Sequence, residues 1–104
     1  MKVQSDSDEY DTHQRALIFH IGKRIKGALS KAGVKGDKLR EATEGLTFDI
    51  ASLLDGSETI KEGRKKIRPF VAFAMDESAS KLLVDESGSY MHEYAYGILD
   101  ELFE

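Results

Sequence analysis

Apolar positions recur with a helical period through the first half of the chain and alternate as in a strand only beyond it. From Gln14 to Ala32, the residues Leu17, Ile18, Ile21, Ile25, Ala28, Leu29 and Ala32 fall within one arc of about 120° at helical spacing. Arg15, Lys23, Arg24, Lys26 and Lys31 fill the remaining arc, with Phe19 among them. Thr12 stands where an N-cap belongs and Gly33 where a helix stops. After the turn GVKGDK, Asp37 is placed to cap a second helix, on which Leu39, Ala42, Thr43, Leu46, Ile50, Leu53 and Leu54 share one face. A strand reading of LTFDIASLL explains fewer of these positions. Asp55-Gly56 ends the helix.

The period then changes. ETIKEGRKKIRPFVAFAM reads as a short strand, a turn at Glu62-Gly63 and a longer strand from Lys65 to Met75, with Pro69 marking an edge or a bulge. KLLV, residues 81–84, is a third strand. SYMHEYAYGILDELFE is a helix carrying Met91, Tyr94, Ala95, Ile98, Leu99 and Leu102 on one stripe. The expected order is ααβββα: two N-terminal helices, a three-stranded antiparallel sheet and a C-terminal helix, an α+β fold. Residues 1–11 are polar and acidic without periodicity and read as a flexible tail, leaving residues 12–104 as a single domain.

Composition narrows the chemistry. The 104 residues include no cysteine, which excludes disulfides, thiolate catalysis and zinc–thiolate or iron–sulfur sites. The chain starts without a signal-peptide pattern, and its longest apolar run, FVAFAM, is too short to cross a bilayer. We therefore expect a cytoplasmic protein without membrane contact. Charge is segregated despite a net value of −4. Residues 14–40 hold eight Lys and Arg against Asp37 alone, and residues 61–70 hold five against Glu62. Acidic blocks separate and flank them, and opposite blocks are expected to face one another across the fold.

Candidate sites follow. Asp76-Glu77-Ser78 recurs as Asp85-Glu86-Ser87, with His92-Glu93 close behind. Asp and Ser satisfy a turning backbone, and Ser87 or Ser89 is positioned to cap the last helix, so both clusters read as turns. The competing reading is a metal-binding protein using Asp85, Glu86, His92 and Glu93. Against it, adjacent helical residues such as His92 and Glu93 point about 100° apart. No nucleophile elbow, phosphate loop or dinucleotide fingerprint occurs, so we expect neither an enzyme nor a cofactor.

The segment ALSKAGVKGDKLREA resembles the turn and second helix of a helix-turn-helix. That resemblance implies a nucleic-acid-binding protein in which Lys35, Lys38 and Arg40 face DNA. It departs from the motif at Leu29, where a small residue belongs, and at Gly36. An acidic chain is also a poor non-specific binder, so nucleic acid is the alternative. The leading expectation is a small protein-interaction domain, homodimeric or bound to another protein. It rests on surplus apolar surface: Phe19 and Phe48 on the second faces of their helices, and Val71, Phe73 and Met75 on the second face of a strand apolar on both sides.

Overall fold

The computed structural model describes residues 2–85 and 88–104 and has an α+β fold. Strand β1 (Lys2–Ser5) leads into α1 (Ser7–Lys31), a turn, and α2 (Gly36–Leu54). A hairpin of β2 (Ile60–Glu62) and β3 (Lys65–Ile67) follows, then β4 (Phe73–Ala74), β5 (Lys81–Val84), α3 (Met91–Gly97) and α4 (Leu99–Leu102). The strands form two sheets, β1-β5-β4 and β2-β3.

The two long helices form where their periodicity places them. Gly33, at φ +93°, ends α1, and Val34 N–H returns to the Leu29 carbonyl at 3.0 Å. The chain then runs back as α2, bringing Thr47 beside Gly22. The buried line of α1 is Tyr10, Gln14, Ile18 and Gly22, spaced by four throughout. On α2 the buried residues are the small Thr43, Thr47, Ala51 and Ser52, which allow close approach of the helices, while Leu46 and Leu53 are exposed. Ala28 and Ala32, expected in the apolar stripe of α1, are exposed too. Ile18, Ala51, Met91, Ala95, Ile98 and Leu102 make the core between α1, α2 and the C-terminal helices.

Of residues 1–11, expected to be a flexible tail, residues 2–5 form a strand and residues 7–11 the start of α1. Lys2–Ser5 pairs with Lys81–Val84 in parallel, and Asp6, not Thr12, caps α1 by accepting the Glu9 amide at 3.1 Å. Thr12 lies inside the helix, its hydroxyl donating to the Asp8 carbonyl. Tyr10 is fully buried; its hydroxyl donates to the Val71 carbonyl at 2.5 Å and its ring packs on Phe73.

The sheet also departs from the antiparallel meander. The central strand is β5, parallel to β1 on one side and antiparallel to β4 on the other. The long strand expected from Lys65 to Met75 is two short ones, separated by residues 68–72 around Pro69, which has no N–H to donate. Gly56 fixes that detour: at φ +77° it passes so close to the Pro69 carbonyl that a Cβ would stand 2.8 Å from it. The β2-β3 hairpin lies apart, every residue exposed. The radius of gyration of 15.3 Å exceeds the roughly 13 Å of a compact chain this size, as a projecting arm requires. The last helix divides at Ile98 into α3 and α4, and Asp37 sits in the first turn of α2 without capping it.

Two stability outcomes follow. Tyr10→Ala should cost about 3–5 kcal/mol in urea unfolding, and removal of the first ten residues at least as much. By contrast the Thr47 hydroxyl is buried with no hydrogen-bond partner among the described residues. Thr47→Val should leave stability unchanged or raise it by about 1 kcal/mol, since the methyl replaces an unsatisfied polar group.

Candidate functional site

On α2, Glu41, Glu44, Gly45 and Phe48 recur at intervals of three and four and so share one helix face, with Asp49 beside them. Across from them α3 contributes Tyr96, about half exposed. The Phe48 and Tyr96 rings lie 5.4 Å apart at an angle of 40°. Together these residues line an open groove of about 230 Å³. Its floor is deepened at Gly45, where a Cβ would meet no atom within 4 Å.

Three carboxylates surround this aromatic pair. Among the described residues, no Lys, Arg or His nitrogen forms an ion pair with Glu41, Glu44 or Asp49. The groove therefore joins unneutralised negative charge to π-faces, the combination that holds an ammonium or guanidinium group.

Behind Phe48 lies His92, whose ring meets Phe48 edge-on at 5.9 Å between centroids. His92 is held by Asp55, the residue that ends α2. The buried Asp55 carboxylate accepts the His92 amide at 3.0 Å, the His92 Nδ1 and the Ser57 amide at 2.9 Å. Burial opposes ionisation of Asp55, but the bonds from Ser57 and His92 outweigh it and hold the carboxyl below its ordinary value. Ser57 Oγ also lies 3.0 Å from His92 Nδ1. Ser, His and Asp thus meet, but both partners approach the same ring nitrogen. A proton relay through imidazole needs the nucleophile and the acid on opposite nitrogens. This trio orients a ring and caps a helix; it does not activate Ser57.

The residues singled out from sequence are dispersed. Phe19, Phe48, Val71 and Phe73 pack half-buried against the chain's own core, and Met75 is 40% exposed. The strand expected to be buried on both faces is an edge strand of two residues, with Phe73 half-buried against the core and Ala74 exposed. Lys35 and Lys38 are exposed at the start of α2. Arg40 is engaged instead with Asp100, at 2.9 Å, and with the Phe103 ring, and α1 and α2 stack as a helical hairpin.

The acidic-hydroxyl clusters behave differently from one another. Asp76 accepts the Ser80 amide at 2.9 Å and the Ser80 and Ser78 hydroxyls, a side-chain-stabilised turn, and the Ser80 bonds hold its carboxyl below the usual range. In the second, Glu86 and Ser87 lie outside the described residues. Asp85 is buried and accepts the Ser7 hydroxyl at 3.2 Å, tying the end of β5 to the start of α1. Ser89 does not cap α3 but donates to the buried Gln14. Among the described residues no group of three or more His, Asp and Glu side chains is placed to hold a metal ion. Among them also, no helix is long and apolar enough to cross a membrane.

Comparison with known protein families, with curated proteins and with solved structures finds no match. The groove thus stands on its own geometry. Sequence reasoning passed over Glu41, Glu44, Gly45, Asp49, Asp55 and Tyr96. The available signal was the spacing of Glu41, Glu44 and Phe48 along the polar side of α2.

The Asp55 contacts carry a pH dependence. A carboxyl whose folded pKa lies below its ordinary value of 3.8 contributes stability above that value. The contribution is lost as pH falls through the folded pKa. The urea midpoint should therefore fall more steeply below pH ~4 in the native chain than in Asp55→Asn, which has no such carboxylate to protonate.

Proposed function

We propose that this chain is a non-catalytic protein-interaction domain whose groove between α2 and α3 receives a Lys or Arg side chain from a protein partner. One observation carries the reading: three carboxylates without ion-pair partners among the described residues line a groove with the rings of half-buried Phe48 and exposed Tyr96. A cation over such a face gains about 0.5–2 kcal/mol, and flanking carboxylates add attraction of the same sign. The non-catalytic part of the reading is supported by the Ser57, His92 and Asp55 arrangement, which lacks the geometry of a relay. A cysteine-free chain fits work in a reducing compartment such as the cytoplasm. Self-association is the simplest form of such contact, and light scattering across a concentration series reads it directly.

Selection of random displayed peptides on the immobilised chain tests the groove. Enriched peptides should carry Lys or Arg beside an apolar residue, and Tyr96→Ala or Glu44→Lys should each weaken them by about tenfold or more. Enrichment of acidic peptides, or binding indifferent to both substitutions, would refute the assignment. Tyr96 is exposed and Glu44 half-buried, and neither belongs to the core cluster.

A further inference from the structure

The chain has two basic blocks, and among the described residues the fold pairs part of the first with its own acids and none of the second. In the first, Arg15 pairs with Glu101, Arg40 pairs with Asp100, and Lys26 donates to the Leu102 carbonyl beneath the Phe103 ring. The acidic C-terminus thus answers the basic face of the helical hairpin. The second block is the β2-β3 arm. Residues 60–68 carry Lys61, Arg64, Lys65, Lys66 and Arg68 against Glu62 alone, and each of these residues is exposed. Among the described residues none of these five cations forms an ion pair.

The register makes the arm a poor structure for its own sake. Lys61 stands directly opposite Lys66, and like charges facing across a strand pair destabilise it. Among the described residues no third strand pairs with the hairpin, and all six of its strand residues are exposed. Lys65, opposite Glu62, projects from the other face, and Arg64 stands at the turn. Positive charge therefore lies on the Lys61/Lys66 face and at the tip of a narrow ribbon, while on the other face Glu62 offsets Lys65. A flat acidic protein surface would meet the charged face and miss the tip, whereas a cleft walled by anions meets both.

We infer that the β2-β3 hairpin is a DNA-binding ribbon that enters the major groove of a B-form duplex and contacts phosphates on both walls. The dimensions agree. Three-residue strands rise about 10 Å. The major groove is about 12 Å wide and 8.5 Å deep and admits a two-stranded ribbon, whereas the A-form major groove is too narrow. Ile60 and Ile67, paired at the root of the hairpin, remain at the groove mouth. Apart from the basic face of the helical hairpin, the remainder of the chain is acidic and repels phosphate, so the arm leads the contact and binding is salt-sensitive. This site is separate from the α2–α3 groove and does not depend on it.

Fluorescence anisotropy of the full chain with a labelled duplex of about 20 base pairs decides the matter. Up to five phosphate contacts give a slope of log affinity against log salt of roughly −3 to −5, a loss of about a hundredfold or more between 50 and 200 mM. The double change Lys61→Glu with Lys66→Glu should weaken binding by at least about thirtyfold at ~50 mM salt, whereas Lys35→Glu with Lys38→Glu should change it by less than about threefold. The arm, Lys35 and Lys38 are all exposed, so both variants should keep the native unfolding midpoint, which confirms folding independently of binding. Absence of duplex binding at ~50 mM salt and ~100 µM chain would overturn the inference. So would equal binding of an RNA duplex of the same length, or of polyglutamate. Self-association that disappears in both the Lys61/Lys66 variant and Glu44→Lys, without DNA binding, would reassign the arm to the acidic groove of a second copy.

Discussion

The start of α3 is the point on which the rest of the structure turns. A helix of seven residues is too short to hold itself, and its first amides have no partners within it. Tyr90, at the N-cap, does not cap the helix with its side chain. Two buried side chains from elsewhere supply them instead. Gln14 of α1 accepts the Tyr90 amide at 3.2 Å and the Ser89 hydroxyl at 3.0 Å, while its own amide donates to Asp11 at 2.7 Å. Asp55, at the end of α2, accepts the His92 amide and places its negative charge at the positive end of the helix. A buried amide and a buried carboxylate are costly unless satisfied, and here each is satisfied by the element it positions. The third helix is thereby docked against both long ones, with Met91, Ala95 and Ile98 turned into the core.

Electrostatics divides the surface in a way the net charge hides. Near the helical hairpin the acidic C-terminus and the basic helices neutralise one another, through exposed pairs that each contribute little to stability. Among the described residues they leave unpaired the carboxylates about Phe48 and Tyr96, the cations of the β2-β3 arm and five cations of the helical hairpin, Lys35 and Lys38 among them. Segregation along the chain, followed by partial pairing in the fold, thus concentrates unpaired charge of each sign in separate regions.

Much of the framework was legible because its periods are strong. The two long helices, the Gly33 stop and the strand at residues 81–84 stand where the spacing places them. The first strand was not, for a physical reason. All four residues of Lys2–Ser5 are exposed, so no alternation of apolar and polar positions records that the backbone pairs with β5. The start of α1 was misplaced because Asp6 and Thr12 are both good caps, and the apolar stripe that should arbitrate runs through Gln14. Burial of Gln14 depends on Ser89 and Tyr90, seventy-odd positions away, which local pattern does not encode. The groove was half legible. Glu41, Glu44 and Phe48 share a face at helical spacing, but Tyr96 joins them only through the docking of α3.

That docking links the groove to the helix cap. Tyr96 lies one helical turn beyond His92 on α3, and both rings contact Phe48, His92 edge-on and Tyr96 at a tilt. His92 is in turn held through its backbone and its ring by the Asp55 carboxylate. The aromatic wall is therefore only as well defined as the bond from Asp55 to the start of α3. Rings held by packing and by such supporting bonds present a preorganised surface, and less ordering entropy is lost when a ligand arrives. The buried carboxylate has no surface of its own in the groove, yet it determines where one of its two rings stands. By its geometry Asp55 supports the aromatic wall of the groove, through the start of α3 and the His92 ring.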